Sequence, residues 1–127
     1  MSSTAKQGGM RTGAAGMNKS RKEIDECLRL CQECVRLCWE CSAECYRAGS
    51  KDMARAIEVC IDCAEAGNMC ISCLARGSEH LAEACRACAD MCDACAEICG
   101  QKGTSELMQR CAEICRRTAA ACRQLAA

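Results

Sequence analysis

From Ile24 to Leu125, apolar and thiol side chains return at alternating steps of four and three, with charged and small polar residues between them. The first stretch carries Cys27, Cys31, Cys34, Cys38, Cys41 and Cys45; the third carries Cys85, Cys88, Cys92, Cys95 and Cys99. This rhythm is the buried seam of a helix packed in a bundle, but a thiol stands where leucine ordinarily would. The second stretch repeats the theme with Cys60, Cys63, Cys70 and Cys73. The fourth continues it through Met108, Cys111, Cys115, Thr118, Cys122 and Leu125.

Breaks between the stretches set the element boundaries. Ser20-Arg-Lys-Glu23 reads as a capping box, so helix one begins there and runs to about Ala48, with Gly49 as its C-terminal cap. Helix two spans about Ser50 to Arg76 and ends at Gly77. Ser78 caps helix three, which runs to about Cys99, and Gly100 and Gly103 bracket a short turn. Helix four starts near Thr104 and reaches about Leu125. Proline is absent, so nothing interrupts these helices. Short connections make them antiparallel neighbours, which predicts an all-α, up-down-up-down four-helix bundle over residues 19–127. Residues 1–18, rich in Ser, Thr, Gly and Ala, read as a flexible tail.

Composition turns this seam into chemistry. Eighteen of 127 residues are cysteine, while Phe is absent and Trp and Tyr occur once each. The 17 acidic and 17 basic side chains cancel, so no basic field invites nucleic acid. No segment is long and apolar enough to span a membrane, and the first 25 residues lack a signal-peptide pattern. Those features point to the cytoplasm, where thiols stay reduced and a disulfide framework is disfavoured. With one histidine and no nucleophile–base pair, no enzyme is expected.

A cysteine can be a small core hydrophobe, but a periodic stripe of thiols points to metal. Six Cys-x-x-x-Cys pairs occur: Cys27/Cys31, Cys34/Cys38, Cys41/Cys45, Cys88/Cys92, Cys95/Cys99 and Cys111/Cys115. Residues so spaced lie about 5–6 Å apart at Cβ, so one ion can bridge them in near-linear coordination. Thiolate and thioether select Cu(I), zinc or iron–sulfur clusters. One Cu(I) per thiolate leaves the core nearly neutral, whereas zinc in Cys₄ sites leaves about two negative charges per ion and needs tetrahedral corners. An iron–sulfur electron-transfer protein is the alternative, as is a zinc or other soft-metal buffer. The ferredoxin run sits on a loop and ends in proline, and this chain offers neither.

The seam also predicts a direction. Ile24, Leu74, Leu81 and Leu125 fall at one end and should close it, while Cys45, Met53, Cys99 and Met108 finish the other, where metal would enter past Met53 and Met108. Cys73 lies at the edge of the stripe. Cys122 lacks a cysteine neighbour on its own helix and reads as peripheral. Thr118 is expected to bond back to a carbonyl of its own helix. Met69, Met91, Trp39, Tyr46 and His80 lie off the seam.

Cysteines lining all four helices of a bundle make residues 20–125 resemble the bacterial copper storage proteins, and the lack of an export signal resembles their cytosolic branch. The resemblance implies a homotetramer of bundles, each holding many Cu(I) ions on cysteine pairs for storage or detoxification. A copper chaperone or copper-requiring enzyme would then be the partner. The cytosolic branch carries histidines near the bundle mouth; Met108 stands in that region here, which is more like the exported branch.

Overall fold

The computed structural model of the protein describes residues 19–102 and 105–127. The expected tail, Gly103 and Thr104 lie outside the described residues. Helix α1 spans Arg21–Ala48, α2 Ala54–Arg76, α3 Leu81–Lys102 and α4 Glu106–Ala126. The described residues hold no strand. Each helix packs on its chain neighbour, and α4 also packs on α1, so α1 lies diagonally across from α3. Thiol pairing fixes the directions. Cys41 meets Cys99 and Cys34 meets Cys92, so α1 and α3 run the same way. Cys38 meets Cys111 and Cys27 meets Cys122, so α4 runs oppositely. The expected up-down-up-down bundle is what forms.

Local chemistry explains most boundaries. Ser20 accepts from the Glu23 amide while the Glu23 carboxylate accepts from the Ser20 amide, a complete capping box. Gly49 and Gly77 end α1 and α2 with φ of 71° and 66°, a left-handed conformation that glycine adopts without a Cβ penalty.

Three boundaries differ from the sequence expectation. Helix two does not begin at Ser50: a 3₁₀ turn, Lys51–Met53, precedes α2, and Ser50 caps that turn by accepting from the Asp52 amide. The Ser78 hydroxyl accepts from the His80 amide, which places it on a turn, and α3 proper begins at Leu81. Gly100 is helical, because α3 continues to Lys102. A Cβ there would sit 3.3 Å from a guanidinium nitrogen of Arg116, so the missing side chain makes room for α4. Helix four takes Ser105 as its cap, with the hydroxyl accepting from the Met108 amide.

The core is a column of sulfur sleeved in small residues. All eighteen cysteines are buried, and Ala56, Ala64, Ala84, Ala89, Ala96, Ala112 and Ala119 fill the helix–helix seams around them. Larger aliphatics, Leu30, Leu37, Ile98 and Ile114, seal the flanks. Trp39 and Tyr46 are exposed on the flank of α1, and Met69 and Met91, expected to pack, are exposed as well because their off-seam positions face away from the bundle.

Candidate metal centre

The stripe of each helix delivers its thiols to the bundle axis, and the axis sorts them into layers. Three layers take one thiol from every helix: Cys41, Cys60, Cys99 and Cys111; Cys34, Cys63, Cys92 and Cys115; and Cys31, Cys70, Cys88 and Cys122. A fourth, between the first two, combines Cys38 and Cys95 with both Cys111 and Cys115. Within each layer all four sulfurs lie within 4.8 Å of one another.

Neighbouring sulfurs approach to between 3.6 and 4.0 Å. That is non-bonded contact, and every thiol is free. With a metal–thiolate bond of about 2.3 Å, the zinc value, sulfurs bridged linearly stand about 4.6 Å apart, and at trigonal or tetrahedral corners about 4.0 or 3.8 Å. The intrahelical pairs Cys34/Cys38, Cys88/Cys92 and Cys95/Cys99 are 4.0, 4.0 and 3.9 Å apart. They are slightly closed for the linear bridge expected from sequence. Each layer nonetheless gathers four sulfurs from three or four helices, so spacing alone does not turn zinc away.

Charge does. The buried polar side chains among the described residues are Ser42 and Thr118, and no Lys, Arg or His is buried. Four zinc ions would bring eight positive charges to the fourteen thiolates of these layers, leaving six negative charges with no buried cation to balance them. A monovalent ion for each thiolate leaves none.

The thiols also polarise one another. Cys34 accepts S–H from Cys115 above all, then from Cys38, Cys63 and Cys92, which holds it well below the ordinary thiol range. Cys115 stays protonated far above that range because it serves Cys111, Cys34, Cys38 and Cys63. Cys95, with Cys111 first among its donors, is pulled down to about 6. Cys45, with few thiol neighbours, is raised by burial. The thiols therefore differ in how readily they give up a proton, and a metal entering the core displaces those protons.

The remaining predicted residues fall as follows. Cys27 touches Cys122 at 3.7 Å and Cys85 touches Cys70 at 3.8 Å, one turn toward the leucine end. Ile24, Leu74, Leu81 and Leu125 stand one turn beyond them, with the three leucines buried. Cys122 is fully buried and bonded across helices, so the reading of it as peripheral is wrong; its partners lie on α1 and α2. Cys73, 6% exposed, stays outside the layers, at the edge of the stripe as expected. Thr118 donates across the bundle to the Leu30 carbonyl at 3.4 Å instead of back along α4. At the other end Met108 is only 3% exposed and Cys45 2%, while Met53 is partly buried against the core. Flexible thioethers thus close the end that the sequence left open. His80 is exposed at the leucine end beside Glu79 and Glu83.

The sulfur column narrows at one level. The seam position of α2 between Cys63 and Cys70 is Gly67, and that of α4 between Cys115 and Cys122 is Thr118. These two non-thiols share one level of the bundle, and sequence reasoning noted only the threonine.

A family model described as "Csp: Copper storage protein" matches residues 20–127. The chain belongs to the copper storage protein family. Comparison with curated proteins gives no match. Among solved structures, Csp3 of Bacillus subtilis in a Cu(I)-bound form is 28% identical, covering 83% of this chain and 99% of that one, with a TM-score of 0.78. The copper storage protein Ccsp from Streptomyces lividans, loaded with 10 copper equivalents, is 27% identical over 84% and 86% of the two chains, with a TM-score of 0.77. A cytosolic copper storage protein from Streptomyces lividans with five coppers is 27% identical over 84% and 93%, with a TM-score of 0.76. No described helix of this family member is long and apolar enough to cross a membrane.

Proposed function

We propose that this chain stores Cu(I) as a copper–thiolate core along its axis, with the eighteen cysteines as the ligand set and Met53 and Met108 passing ions in. One observation carries the reading: fourteen buried thiols gathered in fours, within a core that has no buried cation among the described residues. Such a core accepts charge only in amounts that match its thiolates, and a soft monovalent ion does so one for one. Cys45, Cys99 and Cys111 are the first thiols beyond the methionines. The bundle acts by capacity and not by turnover, so it is a store and not an enzyme. We further propose a cytoplasmic homotetramer, loaded or emptied by a copper chaperone or a copper-requiring enzyme.

Anaerobic Cu(I) titration of the reduced protein tests the proposal. Storage predicts uptake approaching the 18 cysteines per chain, with no visible charge-transfer colour. Saturation at one to four ions would overturn it. Zinc has a specific claim here, because each layer gathers four sulfurs within 4.8 Å of one another. Zinc titration decides it: a zinc buffer should hold about one ion at each layer against a chelator such as EDTA, whereas a Cu(I) store should surrender its zinc.

A further inference from the structure

The break at Gly67 and Thr118 divides the thiol network. Cys27, Cys31, Cys70, Cys85, Cys88 and Cys122 form a group next to the leucine layer. The layers from Cys34 outward form a second, larger group toward the methionine end. Among the described residues, Cys27, Cys70, Cys85 and Cys122 are linked by S–H···S contacts of 4.0 Å or less, Cys31 and Cys88 join them within 4.8 Å, and the one S–H···S contact to the outer group is Cys88 to Cys92 along α3 at 4.0 Å. On α2 and α4 that level holds no sulfur, while α1 steps from Cys31 to Cys34. Gly67 has no side chain, and a Cβ there would point into Val35 of α1 at 2.7 Å. Thr118 is fully buried, and its hydroxyl is turned away to the Leu30 carbonyl. A hydroxyl is in any case a poor ligand for a soft ion.

Resting on the storage reading above, we propose that the bore holds its copper in two compartments, and that ions pass between them through the Cys88–Cys92 pair. The step is a ligand exchange without redox change. A Cu–S bond to Cys88 forms as the bond to Cys92 breaks; the proton leaving Cys88 ends on the Cys92 sulfur, and copper remains Cu(I). The inner compartment, closed behind by Ile24, Leu74, Leu81 and Leu125, then fills last and empties last. Its six thiols make it a slow reserve of about a third of the cargo.

The test is anaerobic copper removal from fully loaded protein by excess bathocuproine disulfonate, followed by its absorbance. Two phases are expected, the slower carrying about a third of the amplitude. Cys88→Ser should slow that phase by about tenfold or more, because serine cannot relay a soft ion. Thr118→Cys adds a sulfur at the break, and should merge the phases and raise capacity by about one ion. It replaces a side chain of similar size, so it tests the idea even if Cys88→Ser folds poorly. Single-phase release from the wild type, or an unchanged slow phase in either folded variant, would overturn the two compartments. Total copper bound at equilibrium reports separately on storage: full capacity with one release phase sinks only this inference.

Discussion

Gly67→Ala offers a direct probe of how tightly α1 and α2 close around the axis. The new Cβ would lie 2.7 Å from Cγ2 of Val35, against about 3.5–4.0 Å for a comfortable carbon–carbon contact. Val35 cannot yield cheaply, since a β-branched residue in a helix holds one rotamer, and an off-rotamer χ1 costs about 0.5–1.5 kcal/mol. If the helices part instead, overpacking costs about 1–3 kcal/mol. Alanine gains about 1 kcal/mol over glycine in a helix interior, so Gly67→Ala should destabilise reduced apo protein by about 1 kcal/mol net. In a Val35→Ala background the obstacle is gone, and the same change should stabilise by up to about 1 kcal/mol. The double-mutant cycle should therefore return a coupling of about 2 kcal/mol. Urea unfolding followed by circular dichroism supplies the four stabilities. A coupling below about 0.5 kcal/mol would mean that Gly67 is not pressed against α1, and the reasoning would fail.

Other expectations are simpler. Met53→Leu with Met108→Leu should leave copper capacity unchanged but slow uptake, measured by stopped flow; equal rates would remove the methionines from the entry route. Cys45, whose thiol is raised by burial, ionises in the unfolded chain before it does in the folded one. The contribution of Cys45 to apo stability is therefore full below about pH 8.5 and falls as pH rises above it. The difference in urea midpoint between wild type and Cys45→Ala should shift in that direction across a pH series, and a shift the other way would refute it. Thr118→Val should cost no more than about 1 kcal/mol, because the long bond to Leu30 leaves no helical carbonyl orphaned when it is lost. Reduced apo protein should also give a fully helical circular dichroism spectrum before any copper is added.

The bundle was legible in the sequence because its signals are local. Ser20 with Glu23, and the glycines at 49 and 77, act within one turn of where they stand. Gly100 shows the limit of that method. As a letter it marks a break, but in the fold it is a clearance for Arg116, a residue of another helix. Cys122 was misjudged for the same reason: its neighbours were counted along α4, while its sulfur meets Cys27 and Cys70. The Thr118 hydroxyl likewise finds its acceptor on α1. Which residues face inward follows from period alone. Which sulfurs share a layer depends on how four helices are staggered, and that stagger is set by packing between them.

The sulfurs touch one another before any metal arrives, so the layers are assembled while the vessel is empty. A zinc finger collapses when its ion is withdrawn, and its cargo and its fold are one equilibrium. Here the two are separate. The capped helix ends and surface ion pairs of the outer faces involve none of the axial thiols, so a change of cargo can reach them only through the packing of the helices.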